Sequence, residues 1–578
     1  MMEWTGIAAA AGYALGRAFL LQEQELQVSK QNLPPEKVEP EISRLEEEIR
    51  QAIEEIKMIR ETTRQKLGDE QAAIFDAHIM LLNDPEYIGG IKEKIKSEAM
   101  NAAAAVQEVT DQFLSLFAGI DNEYIRERAL DLQDVSRRLL RRLLGIQSLS
   151  LGDVQDQVVL VTHDLTPSDA AQLDRGKVTG IVTNIGGRTS HSAIMARSME
   201  IPAVVGLQDI VAKVTPADFV IVDGNEGKVF INPPDDLIQI YREKQENFEF
   251  RKREFKRLVD EPSVTQDGVR VELAANIGNP DDARVALENG AEGIGLYRTE
   301  FLYMGRNELP SEEEQFAAYK AVAALFGMNH PVVIRTLDIG GDKELPYMDM
   351  PKEMNPFLGY RAIRLCLDRT DIFKTQLKAI LRAGVYGNIK MMYPMIATLQ
   401  ELRAANKVLE EVKQELSAAN IPFNDAMEVG IMVEIPSVAV LADQFAKEVD
   451  FFSIGTNDLV QYTMAADRMN EQVSYLYQPF NPAVLRLVQH VIDAAHAAGK
   501  WVGMCGEMAG DLTAIPILLG MGLDEFSMSA GSILPARSLI RQLNQQDMGR
   551  IAKTVLAMDS AEAIKAFVER EVPLITRL

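Results

Sequence analysis

The sequence predicts a multidomain α/β chain: an α/β domain interrupted by an inserted all-α bundle, followed by a (β/α)8 TIM barrel. Three observations carry this. A length of 578 residues suggests three to four domains at about 150 residues each. Hydrophobic periodicity begins at two, changes to the helical spacing, and returns to two within the first 232 residues. Beyond that, eight β-like segments alternate with helical patterns over roughly 315 residues, the signature of a barrel. Composition narrows the function classes. The chain is 47% hydrophobic and 25% charged, as in ordinary globular proteins. With 85 acidic against 60 basic residues and a net charge of −25, it lacks the phosphate-matching basic face of a nucleic-acid binder. Cys366 and Cys505 are the only cysteines and read as free thiols in a reducing cytosol. Ile7–Leu21 is apolar but punctuated by Gly12 and Gly16, and it is too short to span a bilayer. A cytoplasmic protein with no direct membrane insertion is expected.

The first ~30 residues alternate as strands do, ending in Arg17–Leu21, and Leu33-Pro34-Pro35 breaks the pattern. Ile42, Leu45, Ile49, Ala52, Ile56 and Ile59 then recur at spacings of three and four, a helical stripe. Similar patterns over Asp69–Leu82, Ile91–Phe117 and Tyr124–Leu144 make four or so helices. Period two returns at Gln157–Val161, Gly180–Thr183 and Phe219–Asp223. After Asn232-Pro233-Pro234, the polar run Asp235–Asp260 reads as a solvated helix of roughly 39 Å, a stiff linker with bends confined to Ile231–Asp235 and Asp260–Pro262. The domains expected are therefore 1–35 with 146–232, the insert 36–145, the linker 233–262 and the barrel 263–578. Barrel strands are predicted at Val271–Ile277, Gly293–Arg298, Val332–Leu337, Lys390–Pro394, Gly430–Ile435, Phe451–Thr456, Trp501–Cys505 and Glu525–Met528.

Barrel chemistry belongs at strand C-terminal ends, and nearly every predicted strand ends in a reactive or charged residue. Arg298 and Glu300 follow the second; Arg335, Asp338 and Lys343 the third; Glu434 the fifth; Asn457 and Asp458 the sixth; Cys505 and Glu507 the seventh. Converging arginines call for a multiply charged anion such as a phosphate with a carboxylate, and Arg468 can join them. Glu434 and Asp458 offer two hard oxygen ligands suited to Mg²⁺. The plainer alternative is ion pairing, Arg298 with Glu300 and Arg335 with Asp338. Cys505 sits between an apolar strand and a glycine; a largely protonated thiol there can donate a proton to an enolate. Cys366 reads as core. Earlier, Gly186-Gly187-Arg188-Thr189-Ser190-His191-Ser192 places a histidine at a helix N-terminus behind open backbone N–H groups. There a phosphate is stabilised and the ring is kept neutral, so His191 reads as a phosphoryl-accepting nucleophile.

With both sites described, the chain resembles the phosphoenolpyruvate-protein phosphotransferases, Enzyme I of the bacterial sugar phosphotransferase system. The motifs are GGRTSH at 186–191, GLYRTEF at 295–301, RTLDIGGDK at 335–343, FSIGTNDL at 452–459 and GMCGE at 503–507. The resemblance implies a swivelling phosphohistidine domain, phosphorylation of His191, and protonation of the enolate by Cys505. It implies phosphoenolpyruvate ligands at Arg298, Arg335, Asn457, Asp458 and Arg468, with Lys343 and Arg361 lining the same pocket. Mg²⁺ ligands are expected at Glu434 and Asp458. A histidine-containing phosphocarrier protein is expected on the 36–145 bundle, at Asp69, Glu70, Phe75 and His78, and a homodimer through the barrel. Pyruvate is the released product. The alternatives are a pyruvate dikinase-type phosphotransferase, which carries a large nucleotide-binding domain ahead of its histidine domain, and a non-catalytic regulatory scaffold.

Overall fold

The computed structural model describes the chain except residues 22–25, 27, 68, 119–122, 147–156, 166–168, 170–172, 175, 188–189, 342, 344, 349 and 578. It divides into two compact units, Met1–Phe250 and Arg251–Leu578.

The first unit is built on an eight-stranded mixed sheet. Its strands are β1 (Met2–Thr5), β2 (Ile7–Ala10), β3 (Tyr13–Leu21), β4 (Val158–Thr162), β5 (Val178–Thr183), β6 (Ala203–Val205), β7 (Phe219–Asp223) and β8 (Lys228–Ile231). The spatial order is β1-β8-β7-β3-β4-β5-β6-β2, with β3 to β6 parallel. Alternation along the buried strands feeds two cores. Leu160 and Ile181 pack on one face with Ala193 and Ala196, while Val159, Val161 and Val182 pack on the other with Val220 and Val222. The strands β6 and β8 were not expected. Both are short, and pairing in the sheet defines them more than any periodicity of their own.

Between β3 and β4 the described residues form five helices, Pro35–Leu67, Asp69–Leu82, Pro85–Glu98, Ala102–Ala118 and Glu123–Leu144, around an apolar core of their own. The insertion leaves the sheet intact: Arg17 pairs with Val158 and Leu21 with Thr162. The helical pattern over Ile91–Phe117 proves to be two helices. Ala99 turns left-handed at φ 49, and Asn101 accepts the Gln31 backbone N–H at 2.9 Å while donating its own N–H to Gln31 at 3.1 Å. The incoming chain thus takes up the backbone groups that a continuous helix would have bonded internally.

The predicted linker helix forms as Asp235–Lys256, but its first half is not solvated all round. Tyr241 is buried, with its ring 5.4 Å from Phe230 and its hydroxyl donating to Asp223 at 3.0 Å. Gln245 donates to the Tyr13 carbonyl at 2.9 Å. At the start of the second unit, Arg537 donates to the Leu258 and Val259 carbonyls, both at 2.9 Å, and Arg541 donates to Pro262 at 2.8 Å. Of the segments expected to bend, Asp260–Pro262 is held at Pro262 by Arg541 and Ile231–Asp235 at Asn232, whose N–H donates to the Phe219 carbonyl at 2.8 Å; the sequence pattern revealed neither bond.

The second unit is a closed parallel barrel of β9 (Glu272–Ile277), β10 (Gly293–Arg298), β11 (Pro331–Arg335), β12 (Asn388–Tyr393), β13 (Val429–Val433), β14 (Phe451–Ile454), β15 (Trp501–Met504) and β16 (Glu525–Met528). All eight coincide with predicted strands, five with fewer residues at the C-terminal end, where the chain turns into the site. The inward rows are read from the alternation: Leu296, Val333, Met392, Met432, Phe451 and Cys505 share the interior, while Leu273, Ala275 and Ile277 face the surrounding helices.

At the N-terminal end of the barrel, Glu272 and Glu525 pair in register where β9 meets β16. Space for their carboxyls comes from glycine: a Cβ on Gly295 would lie 2.3 Å from Glu525 Oε1. Burial, then the neighbouring Glu292 carboxylate, pushes Glu272 up to about 7; burial and Glu272 push Glu525 well above the usual carboxylate range. The folded carboxyls keep protons that the unfolded chain releases. Their stabilisation is therefore complete below about 4.5 and is lost as pH rises through about 7. Glu272→Gln should flatten that loss by on the order of 2 kcal/mol. Urea midpoints that still fall as steeply as the native chain's over about pH 5 to 8 would contradict it.

Candidate functional site

Strand C-termini of the barrel open into a cavity of about 660 Å³ lined by Arg298, Arg335, Lys343, Arg361, Arg468, Glu434, Asn457, Asp458 and Cys505. All the barrel residues singled out from the sequence are brought together there. Arg335 is at the centre. Its Nη2 lies 2.6 Å from Glu300 and its Nη1 3.1 Å from Asp338. Lys343 reaches the same Glu300 at 2.7 Å. Arg361 binds Asp338 at 2.9 Å and Asp458 at 3.6 Å, and Arg468 stands 3.7 Å from Asp458. Of the two simple ion pairs considered from sequence, Arg335 with Asp338 forms, but Glu300 pairs with Arg335 and Lys343. Among the described residues no carboxylate lies within salt-bridge distance of Arg298.

The electrostatics follow from burial. Burial lowers the Arg298 guanidinium below its ordinary value and the adjacent Arg335 adds to that, so a bound anion would relieve the cost of burying its charge. Burial also works against the charge of Arg335, but Glu300 and Asp338 outweigh it and hold Arg335 above its ordinary value. Asp338 is desolvated too, and Arg335, Arg361 and Lys343 together keep it well below the usual carboxylate range.

Glu434 is different. Burial, then the Asp458 and Asp338 carboxylates, push it up to about 8. Its Oε2 accepts the Met395 N–H at 2.8 Å, and Asp458 Oδ1 is buried without a hydrogen bond among the described residues. Two crowded carboxylates, one with an unsatisfied oxygen, fit a divalent cation that needs one or two carboxylates and fills the rest of its shell from water and substrate. Asn457 accepts the Glu507 N–H at 3.1 Å, tying the loop after β15 to that after β14.

Cys505 is 3% exposed; its N–H donates to the Ile454 carbonyl at 3.1 Å. Burial is the chief cause that pushes its thiol up to about 11, so it is a thiol and not a thiolate at neutral pH. Cys366 is fully buried in the core, as expected.

Sequence reasoning missed Asn276, Ser527 and Gln376. Gln376 accepts the Leu337 N–H at 2.8 Å and donates to Thr299 at 3.1 Å, bracing the loops after β10 and β11 from an outer helix. No local pattern marks it. Asn276 and Ser527 occupy inward positions of β9 and β16, which strict alternation from Glu272 and Glu525 identifies.

In the first unit, the glycine turn leads into the helix His191–Ser198, with His191 as its first residue. Ser190 caps it, accepting the Ala193 N–H at 3.3 Å, and Gly186 adopts φ 122. Residues 188 and 189 and the His191 side chain lie outside the described parts, as do the Asp69 and Glu70 side chains. Phe75 and His78, expected on the surface of the bundle, are each 1% exposed. The two rings meet edge to face at 5.6 Å, and His78 Nε2 is 3.4 Å from Asp131. This corrects their placement: they lie on the inner face of their helix, which packs against helix Glu123–Leu144.

Three family models match successive parts of the chain: the N-terminal domain of PEP-utilising enzymes over residues 5–128, their mobile domain over 154–227 and their PEP-binding domain over 252–545. A phosphoenolpyruvate-protein phosphotransferase of Geobacillus stearothermophilus is 59% identical across 98% of this chain and 97% of its own length. That of Bacillus subtilis is 56% identical across 98% and 99%. An NMR solution structure of an Enzyme I (nEIt) protein is 43% identical over 43% of this chain and 99% of that chain, with a TM-score of 0.38. Full-length identity at this level, with the three domain models in succession along the chain, means that the chain belongs to the phosphoenolpyruvate-protein phosphotransferase family of PEP-utilising enzymes.

Proposed function

We propose that this chain takes the phosphoryl group of phosphoenolpyruvate onto His191, releases pyruvate, and passes the phosphoryl group to the histidine of a phosphocarrier protein in the cytoplasm, the first step of phosphoenolpyruvate-dependent sugar uptake. The observation that carries the reading is the convergence of Arg298, Arg335, Lys343, Arg361 and Arg468 on one cavity. A substrate with a carboxylate and a phosphate separated by one carbon is the anion such a cluster would hold. Arg298 and Arg335 grip and orient it, Arg468 and Asn457 close on its other end, and Lys343 and Arg361 fix the carboxylates between them. Mg²⁺, held by Glu434 and Asp458, would supply charge neutralisation for the phosphoryl oxygens when bound. Positioning and charge, more than covalent work by the protein, lower the barrier. The buried Cys505 thiol delivers a proton to C3 of the enolate left behind.

Docking of the carrier falls to the bundle. Met58 and Met80 are 64% and 70% exposed on its first two helices, which Arg60 and Asp76 join at 2.9 Å; exposed apolar side chains of this kind suit a partner surface. Dimerisation falls to the barrel, where Met354 and Tyr475 stand exposed on loops. Phosphoenolpyruvate labelled with ³²P should label the chain, and then an added phosphocarrier protein, and a chelator should abolish both. A chain that takes no label with Mg²⁺ present, or that sediments only as a 64.2 kDa species under those conditions, contradicts the activity or the dimer respectively.

A further inference from the structure

The Cys505 peptide is held from two sides. Its N–H donates to Ile454 on β14 at 3.1 Å. Its carbonyl accepts from Asn276 Nδ2 at 3.1 Å, and Asn276 lies on β9, two strands away past β16. The amide is oriented without ambiguity. Asn276 Nδ2 faces two groups that can only accept, the Cys505 carbonyl and the Ser527 carbonyl at 3.4 Å, while its Oδ1 accepts the Ser527 hydroxyl proton at 2.7 Å. Ser527 in turn is packed so closely that a Cβ on Gly295 would lie 2.5 Å from its Oγ. The whole network sits on the inward rows at the site end of the seam where β9 closes on β16.

We propose that Asn276, seated by Ser527, is the positioning residue for Cys505: by fixing the Cys505 peptide it aims the thiol at one face of the substrate's C3, so that the methyl group of pyruvate forms with a single handedness. The proposal rests on the reading of Cys505 as proton donor. In the step itself the S–H bond breaks as the C3–H bond forms from the enolate π pair, leaving a thiolate that water reprotonates. Asn276 touches neither substrate nor proton. Without its amide donor the Cys505 carbonyl loses its buried partner and the loop can turn the sulfur by an ångström or so. On the scale of such misplacements that costs on the order of tenfold to a hundredfold. It also lets the enolate escape and take its proton from solvent on either face.

The test uses the full-length chain with Mg²⁺ and the phosphocarrier protein. Phosphoenolpyruvate bearing deuterium at one C3 position is turned over in tritiated water, and the pyruvate is reduced at once to lactate for methyl-chirality analysis. The native chain should give a chiral methyl group and Cys505→Ala a racemic one. Asn276→Ala should be near racemic, and Ser527→Ala intermediate. Asn276→Asp should regain chirality as pH falls, because only a protonated carboxyl can donate to the Cys505 carbonyl, whereas Asn276→Ala stays flat with pH. Labelling of each variant by ³²P checks that it is folded; if Asn276→Ala takes no label, Ser527→Ala and Asn276→Asp decide. Chiral pyruvate from the Asn276 and Ser527 variants beside a racemic Cys505→Ala overturns the positioning role and leaves the Cys505 reading standing. Chiral pyruvate from Cys505→Ala overturns that reading itself.

Discussion

His191→Ala should take no phosphoryl label from phosphoenolpyruvate, a fall of roughly 10⁶, the scale for removing a sole covalent nucleophile, while substrate binding in the barrel persists. The Ser190 and Ser192 hydroxyls are not free to substitute. Ser190 Oγ donates to the Gly187 carbonyl at 2.9 Å and accepts the Ala193 N–H, and Ser192 Oγ donates to Asp164 at 2.6 Å. Each is occupied in building the turn and the helix start. A helix N-terminus at that position favours an incoming phosphate. Acid-labile ³²P on the chain is the measurement, and label retained by His191→Ala at the native level contradicts the assignment.

Arg335→Ala should be the most damaging change in the barrel, acting on stability and on catalysis together. Arg335 is buried between Glu300 and Asp338, and removing one partner of a buried ionic cluster costs about 3–5 kcal/mol. Lys343 and Arg361 still contact the two carboxylates, so the lower end, about 3 kcal/mol, is expected in urea unfolding of the barrel. Arg335→Lys keeps the charge but not the fork that spans both acids, so it should recover less than half of the loss. Phosphoenolpyruvate KM should rise in both variants. An Arg335→Ala chain that unfolds at the native urea concentration would mean that the cluster is held by its other members.

Much of the site was legible because barrel strands deliver their last residues to one place. Once Arg298, Arg335, Glu434, Asp458 and Cys505 are seen to follow predicted strands, their convergence follows from the fold. What was not legible depends on angles around the barrel. Glu300 pairs with Arg335 and not with Arg298 because it lies in the helical turn Thr299–Leu302 that follows β10, where residues two apart do not face each other, while the next strand's end lies within reach. Asn276 reaches Cys505 across β16, and nothing in local composition marks a contact between residues 229 positions apart.

In the first unit the stripe Ile42 to Ile59 determined a helix and its buried face. The neighbouring Phe75 and His78 were misplaced because an aromatic and a histidine suit a docking surface as well as a core; which they occupy depends on where helix Glu123–Leu144 lies. The linker tells the same story. Its charge and length determined a helix, but the burial of Tyr241 against Phe230 came from the sheet beneath it.

By itself, then, the sequence determined what local periodicity and covalent order can carry: the eight barrel strands, a helical insert though not its break at Ala99, the glycine turn ahead of His191 and the residue types that reach the barrel mouth. Only the tertiary structure decided which carboxylate each arginine holds, how far Glu434 is pushed toward neutrality, and what fixes the Cys505 peptide. Periodicity is a property of neighbours along the chain, whereas ion pairing and desolvation depend on distance and burial among residues that the chain separates by tens to hundreds of positions.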